Sequence, residues 1–329
     1  MSPLRALVER FKNKRIVVLG DLVADVFLYG EISRISREAP VLILNHRETQ
    51  TVPGGGANAI HNLWALGAKP IPVGIIGDDS EGRHLVQFFS NLGIDVRGIR
   101  VIKSYRTPAK MRILAGAVHS QRQQIVRIDS GGPIPEGKAV NFAGLEQKVK
   151  MALSQAHALL VSDYGYGLAT PQFVSKIRSN GIPATIDSRY SLKAFSQMTA
   201  ATPNEPEVEA SLGISIGHDT KKLEWAGRTL LRKLKHGALL ITRGKDGMAL
   251  FEPGKKTVHI PVHGADEIAD VTGAGYTVIA TFTLALAAGG SYHEAARLAN
   301  YAGGIVVMKH GTRPVTYEEL VRAVEEDAS

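Results

Sequence analysis

The sequence predicts an α/β protein of three layers, α/β/α, with a mostly parallel central sheet and a small β-sheet lid. Short β-branched runs recur along the chain, as in Arg15-Ile-Val-Val-Leu19, Ala158-Leu-Leu-Val161, Ala184-Thr-Ile186 and Ala238-Leu-Leu-Ile241. Between them lie longer patterns that are apolar at helical spacing, such as Leu85/Phe88/Phe89/Leu92 and Leu223/Ala226/Leu230/Leu234. Buried strands alternating with amphipathic helices imply βαβ units and a sheet covered on both faces. Two stretches, 23–52 and 107–129, break the rhythm with strand-like pieces and no helical period. Together they would make one side sheet over a site at the carboxyl ends of the main strands. We therefore expect a single domain over 1–329 with two lid inserts.

Composition narrows the class. The 329 residues are 44% hydrophobic, enough for a substantial core, and include no cysteine, which excludes disulfides and thiolate metal sites. Leu4, Leu7, Val8 and Phe11 recur among charged residues, so the first segment reads as an amphipathic helix and not as a signal peptide. The longest nearly apolar stretch, 278–288, falls short of the roughly 20 residues that span a bilayer. A soluble, cytoplasmic protein without a membrane partner is expected. The formal charge of +8 suits anionic ligands such as sugar phosphates and nucleotides. Its cations are dispersed and not interleaved with aromatics, so nucleic acid is not expected as a partner.

Two glycine-rich turns carry the chemistry. Asp270-Val-Thr-Gly-Ala-Gly-Tyr276 opens a long apolar helix, and such a turn offers backbone N–H groups and a positive helix end to a phosphoryl group. The plainer reading is a generic glycine-rich helix start. Pro53-Gly-Gly-Gly-Ala-Asn58 precedes a second helix, where glycines admit close approach of a polyol and Asn58 supplies a donor and an acceptor. Here the plainer reading is a glycine loop with Asn58 as helix cap. The run Gly132-Pro-Ile-Pro-Glu-Gly-Lys-Ala139 has Walker A spacing but no Ser/Thr for a metal and two prolines, so it is set aside. No G-x-G-x-x-G follows the first strand, and no histidine pair has zinc-ligand spacing.

Taken together the chain resembles the ribokinase-like (PfkB) carbohydrate kinases over nearly its whole length. The pattern comprises Gly20-Asp21, Asp25, Gly54-Gly-Gly-Ala-Asn58, Gly77-Asp-Asp79 with Gly82, and Asn204-Glu-Pro-Glu207. It continues through Thr242-Arg-Gly244 with Gly247, the Asp270–Gly275 motif, Asn300-Tyr-Ala-Gly303 and Lys309-His-Gly-Thr312. Within that family it is most similar to the heptose 7-phosphate kinases, through Gly30-Glu-Ile-Ser-Arg-Ile-Ser-Arg-Glu-Ala-Pro40, Gln124-Ile-Val-Arg-Ile-Asp129, Ser162-Asp-Tyr-Gly165 and Thr202-Pro-Asn204. Bifunctional relatives add a nucleotidyltransferase domain, and here only the kinase unit is expected.

The resemblance implies transfer of the ATP γ-phosphoryl to a sugar or sugar-phosphate hydroxyl, with Mg²⁺. It implies that Asp25, Gly54, Gly55 and Asn58 contact sugar, and that Lys110, Arg112 and Asp163 approach its phosphate. Asn204 and Glu207 would organise Mg²⁺, Glu207 through water, unless both simply cap a helix. Thr242, Gly244, Gly247, Asp270, Thr272, Asn300 and Gly303 would hold the nucleotide, and Gly273, Ala274 and Gly275 would form the anion hole. Side sheets in this family often pair across a homodimer, and 41–44 offers an apolar face for it.

The pattern breaks at its catalytic position. The family motif ends in an aspartate that takes the proton from the attacking hydroxyl, and this chain has Tyr276. A phenol of ordinary pKa about 10 is a poor base at neutral pH, and losing a general base typically costs about 10²–10⁴ in rate. Tyr166 stands where heptose kinases carry lysine, and Asp187-Ser-Arg189 replaces their Asp-Pro-Lys, so Arg189 would stand in for one cation. Three readings stay open. The chain is a sugar kinase of weakened or altered activity, or a catalytically silent fold that binds sugar phosphate or nucleotide. Alternatively, Tyr276 is a sporadic or engineered change in an otherwise normal enzyme.

Overall fold

The computed structural model describes residues 2–116, 122–135, 142–178, 181–264, 273–309 and 312–327. In chain order, helix α1 (Pro3–Glu9) leads to β1 (Arg15–Gly20), two long strands, β2 (Leu22–Ile35) and β3 (Leu42–Gly55), and helix α2 (Gly56–Ala65). Then come β4 (Lys69–Gly77), α3 (Ser80–Asn91), β5 (Ile99–Ile102), β6 (Ala109–Gly116) and β7 (Gln123–Ser130). The chain next alternates through α4 (Phe142–Leu153), β8 (Ala158–Asp163), α5 (Pro171–Ile177), β9 (Ala184–Ser188) and β10 (Ala200–Ala201). After α6 (Glu205–Leu212), α7 (Thr220–Leu234) and β11 (Ala238–Thr242) come β12 (Met248–Phe251) and β13 (Val258–Ile260). Three helices follow: α8 (Ala274–Ala287), α9 (Tyr292–Val307) and α10 (Tyr317–Glu326).

Nine strands form the main sheet in the order β13-β12-β11-β10-β9-β8-β1-β4-β5, parallel except for β12 and β13 at one edge. Alternation along β1 sets the layers. Ile16 and Val18 join Leu63, Phe89, Ile279 and Leu298 in one buried cluster, whereas Val17 and Leu19 join Leu145, Phe173, Leu223 and Leu230 in the other. Successive side chains of a strand point to opposite faces, so the three-layer fold is built into that run. The amphipathic α1 is covered as its pattern predicts, with Leu4, Leu7 and Val8 buried. Helix α8 has ten consecutive buried residues, from Thr277 to Leu286, and so runs through the core and not over it. No helix among the described residues is long and apolar enough to cross a membrane.

The two strand-like inserts meet, as expected, in one four-stranded sheet of order β3-β2-β6-β7. It is mixed, because β2 runs parallel to β6 and antiparallel to β3. The register sets Asp25 beside Lys110 and Phe27 beside Arg112, while Arg112 also pairs with Arg127 on β7. Alternation then sends Asp25, Lys110, Arg112 and Arg127 towards the site, and at the far end Val41 and Leu42 are exposed.

Candidate active site

The parallel strands β1, β8, β9 and β11 end at the same edge of the sheet, which is where ligands bind in open α/β folds. Two adjoining compartments lie there. One, about 380 Å³, is bounded by Asp25, Lys110, Arg112, Arg127, Tyr164, Asp187 and Arg189 on the lid and strand side. Thr202, Asn204, Glu207, Gly273, Gly275 and Tyr276 complete it. The other, about 360 Å³, is walled by Met248, Val262, Val278 and Val307 together with Gly244, Gly247, Asn300, Gly303 and Ala274. Thr242 and Gly275 belong to both, so the turn before α8 forms the threshold between them.

That turn is shaped for an anion. Gly273 takes φ +88°, a left-handed conformation, and caps α8 without any side-chain hydrogen bond. Its carbonyl accepts from the N–H groups of Tyr276 and Thr277, leaving those of Ala274 and Gly275 as first-turn donors. A Cβ at Gly275 would meet nothing within 4 Å, so the backbone there is open to the cleft. A Cβ on Gly273 would lie 3.4 Å from the Asn58 amide nitrogen, which brings the two glycine-rich turns together. Asp270 and Thr272 lie outside the described residues.

Each expected sugar-side residue has a defined setting. Asp25 is buried within β2, and its Oδ1 accepts from Arg112 at 2.7 Å. Gly54 packs on that carboxylate so tightly that a Cβ would stand 2.5 Å from Oδ2. Gly55, at φ +55°, caps α2. Asn58 therefore is not the cap. It lies one turn inside, its Oδ1 accepting from Asn62 at 2.6 Å, while Asn62 accepts from Thr277 of α8 at 2.9 Å. This chain of amides ties the sugar-side helix to the anion turn.

Lys110 rests 5.3 Å above the Tyr164 ring, with its pKa lowered chiefly by burial and partly restored by Asp25. Asp163 does not line the cleft. Its two oxygens accept from Gly165 N–H and Ser188 Oγ, so it holds the β8 and β9 ends together. Arg189 does line it.

Asn204 and Glu207 form a capping box at α6, as the alternative reading of that motif had it, with bonds of 2.8 and 2.9 Å. They also face the cleft. Burial, and then the charge of Asp187, push Glu207 up to about 7. No group of three His, Cys, Asp or Glu among the described residues could enclose a metal. The donor set instead fits a hydrated Mg²⁺ carried on nucleotide phosphates and met through water. Thr202 Oγ1, buried at the cleft without a hydrogen-bond partner among the described residues, is a further polar contact for such a ligand.

In the apolar compartment Thr242, Gly244, Gly247, Asn300 and Gly303 lie together along the wall. Gly247 takes φ +75°, and a Cβ would strike the Ile260 carbonyl at 2.1 Å. Asn300 spends its amide nitrogen on the Pro261 carbonyl at 2.8 Å, which fixes the wall beside Val262. Apolar walls with a few polar edges suit a purine base.

Comparison with known proteins decides the lineage. A family model for pfkB family carbohydrate kinases matches residues 13–319. The chain belongs to the pfkB carbohydrate kinase family. Within the family it is 37% identical over 326 residues to the bifunctional protein HldE of Coxiella burnetii, covering 97% of this chain and 65% of that one. HldE of Geobacter sulfurreducens is 39% identical over 315 residues, 93% of this chain and 62% of the relative. The chain thus spans less than two thirds of these relatives. Among solved structures, Escherichia coli phosphofructokinase-2 in complex with potassium superposes with a TM-score of 0.77 at 18% identity, covering 96% of this chain and 100% of that one. Arabidopsis thaliana ribokinase complexed with ribose and ATP gives 0.74 at 20%, covering 95% and 99%. These confirm a ribokinase-like fold.

Four residues of the polar compartment were not anticipated individually: Tyr164, Asp187, Arg127 and Thr202. Tyr164 and Asp187 stand side by side because β8 and β9 are parallel neighbours, and the Tyr164 hydroxyl donates to Asp187 Oδ2 at 3.3 Å. The rule that strand ends make the site would have found them. Asp187 is pushed up to about 6 by burial, and so is Asp21, against the N–H bonds it accepts from Tyr164 and Tyr166.

Asp21, Asp187 and Glu207 thus bind protons more tightly folded than unfolded. Their contribution to stability is full below the ordinary carboxylate range and is lost as pH rises through about 6 to 7. Because the buried His61 and His236, lowered to about 4, act with the opposite sign, the test is a difference: the melting temperature of the free protein minus that of Asp187→Asn should fall as pH rises from about 4 to about 7. A difference that rises across that window would contradict the setting of Asp187.

Proposed function

We propose that the chain binds ATP in the apolar compartment and a phosphorylated sugar in the polar one, with heptose 7-phosphate as the leading candidate. It transfers the γ-phosphoryl slowly, because Tyr276 occupies the position of the base. One observation carries this reading: the anion-shaped turn at Gly273–Gly275 opens onto both compartments, and the Tyr276 phenol stands beside it in the polar one. Lys110, Arg112, Arg127 and Arg189 line that compartment together with Asp25, Asp187 and Glu207. The cations outnumber the carboxylates, and the two carboxylates whose pKa values are raised bind protons more readily, which favours an anionic sugar.

Mg²⁺ would sit on the nucleotide phosphates, with Asn204 and Glu207 ordering its waters, and would offset the negative charge gathering there. The residues themselves orient the acceptor hydroxyl through Asp25 and Asn58 and steady the transferring group through the Ala274 and Gly275 amides. Tyr276 is no ready base. Burial pushes its pKa further above the ordinary phenol value, with the hydrogen-bonding Tyr164 hydroxyl pulling it back in part. This supports weak transfer, and a silent binder is the limit of the same trend. The exposed Val41 and Leu42 support pairing of two lids in a homodimer.

Calorimetric titration tests the two-compartment reading. Mg·ATP is expected to bind at micromolar to millimolar concentration, and heptose 7-phosphate to bind more tightly once a non-hydrolysable ATP analogue is present. Absence of heat from either ligand would sink the reading.

A further inference from the structure

One buried carboxylate beside the site lines neither compartment. Asp21 directly follows β1 and is only 4% exposed. Its Oδ2 accepts from the Tyr164 N–H at 2.8 Å and from the Tyr166 N–H at 3.0 Å. Gly165 and Gly167, at φ +78° and +96°, turn the chain so that these alternate donors meet on one oxygen. A main chain folded in this way is a seat for an anion. The main chain of Asp21 makes further ties. Its N–H donates to the Ser162 carbonyl at 3.1 Å, and its carbonyl accepts from the Gly56 N–H at 3.0 Å. A Cβ on Gly55 would stand 2.9 Å from that same carbonyl oxygen. One residue thus joins the end of β8, the turn that carries Gly54 and Asn58, and the loop that carries Tyr164.

That loop needs a clamp. Its run Tyr164-Gly-Tyr-Gly167 is half glycine, the residue that imposes least shape of its own. Tyr164 nevertheless has a defined place. It lines the polar compartment, its hydroxyl donates to Asp187 Oδ2 at 3.3 Å, and Lys110 rests 5.3 Å above its ring. Main-chain donors held by an ionised carboxylate are held more firmly than by a neutral acceptor. We propose that Asp21 is a positioning residue for the sugar side: its carboxylate fixes the Tyr164–Tyr166 loop and, through Tyr164, sets the wall on which an anionic sugar lies. It touches no substrate itself. None of the residues around the apolar compartment belongs to this loop, so nucleotide binding is independent of it. The inference rests on the kinase reading above and names what keeps its sugar side in shape.

Asp21→Ala removes the carboxylate and keeps the main-chain ties. The measurements are made at pH 8, above the value of about 6 to which burial raises Asp21. Hydrogen exchange needs no ligand. The Tyr164 and Tyr166 amides should exchange at least about tenfold faster in Asp21→Ala and within about threefold of the original in Asp21→Asn, whose side-chain oxygen still accepts. Calorimetry then follows heptose 7-phosphate in the presence of a non-hydrolysable ATP analogue. Sugar affinity should fall at least about tenfold in Asp21→Ala and recover to within about threefold in Asp21→Asn, with affinity for the analogue unchanged in both. In Tyr164→Ala the wall itself is gone, and adding Asp21→Ala should cost less than about threefold. If Asp21→Ala folds poorly, Asp21→Ser, too short to reach both N–H groups, takes its place. Unchanged exchange at the two amides, equal losses of sugar and nucleotide affinity, or an equal cost in the Tyr164→Ala background would each overturn the assignment. An original protein that binds neither ligand would remove the kinase reading, and exchange would still decide whether Asp21 holds the loop.

Discussion

Tyr276→Asp is expected to raise ATP-dependent phosphorylation of heptose 7-phosphate, or of a related phosphosugar, by at least ~10²-fold. The magnitude follows from restoring a positioned carboxylate, which typically contributes about 10²–10⁴. The site is otherwise prepared for it. The Ala274 and Gly275 amides point out of the first turn of α8, Gly273 holds the left-handed cap, and Arg189 lies close enough to favour an ionised group. Aspartate is also shorter than tyrosine, so the substitution widens the compartment where hydroxyl and phosphoryl meet. Steady-state ADP release with and without sugar checks the prediction and separates true transfer from ATP hydrolysis. An original protein that already turned over at an ordinary kinase rate, of order 1–100 per second, would contradict it.

Arg112→Ala should be the most damaging single change on the lid. The Asp25–Arg112 pair has side chains only 4% and 12% exposed, so removing the cation strands a buried carboxylate under Gly54. Breaking a buried pair by deleting one partner costs about 3–5 kcal/mol, far more than the ~0–1 kcal/mol of exposed pairs such as Arg97–Asp95. Denaturant melts should show that loss, and the sugar KM should rise at least tenfold because Asp25 no longer has a fixed orientation. Replacing both partners, as Arg112→Met with Asp25→Leu, should recover most of the stability and none of the sugar affinity. A stability within 1 kcal/mol of the original for Arg112→Ala alone would show that the pair is not a structural anchor.

The layered fold was legible because β1, β8, β9 and β11 are buried on both faces, and so appear as short continuous apolar runs. The lid was legible from a missing period, but its parallel β2–β6 pairing was not, since that contact joins segments some eighty residues apart. The glycine-rich turns were visible as motifs, and the structure adds why the glycines are needed: one makes room for Asp25, another takes the left-handed cap of α8. Asp163, which the resemblance set near the sugar phosphate, braces two strand ends, because a carboxylate next to a tight turn is readily claimed by local donors. Asp187 was passed over in favour of Arg189, and only the folded chain, which pairs it with Ser162 and brings the Tyr164 hydroxyl onto its carboxylate, sets it in the site. The oddity at Tyr276 was plain in sequence, whereas its tilted neighbour Tyr164 could be seen only in three dimensions.

The central question is whether the turn before α8 grips the group in flight. A crystal structure of the original protein with ADP, aluminium fluoride and heptose 7-phosphate would answer it. The fluoride is expected roughly 2.7–3.1 Å from the Ala274 and Gly275 amides, with the Tyr276 hydroxyl facing the sugar oxygen. A nucleotide seated elsewhere, or a turn that makes no contact with the fluoride, would contradict the account.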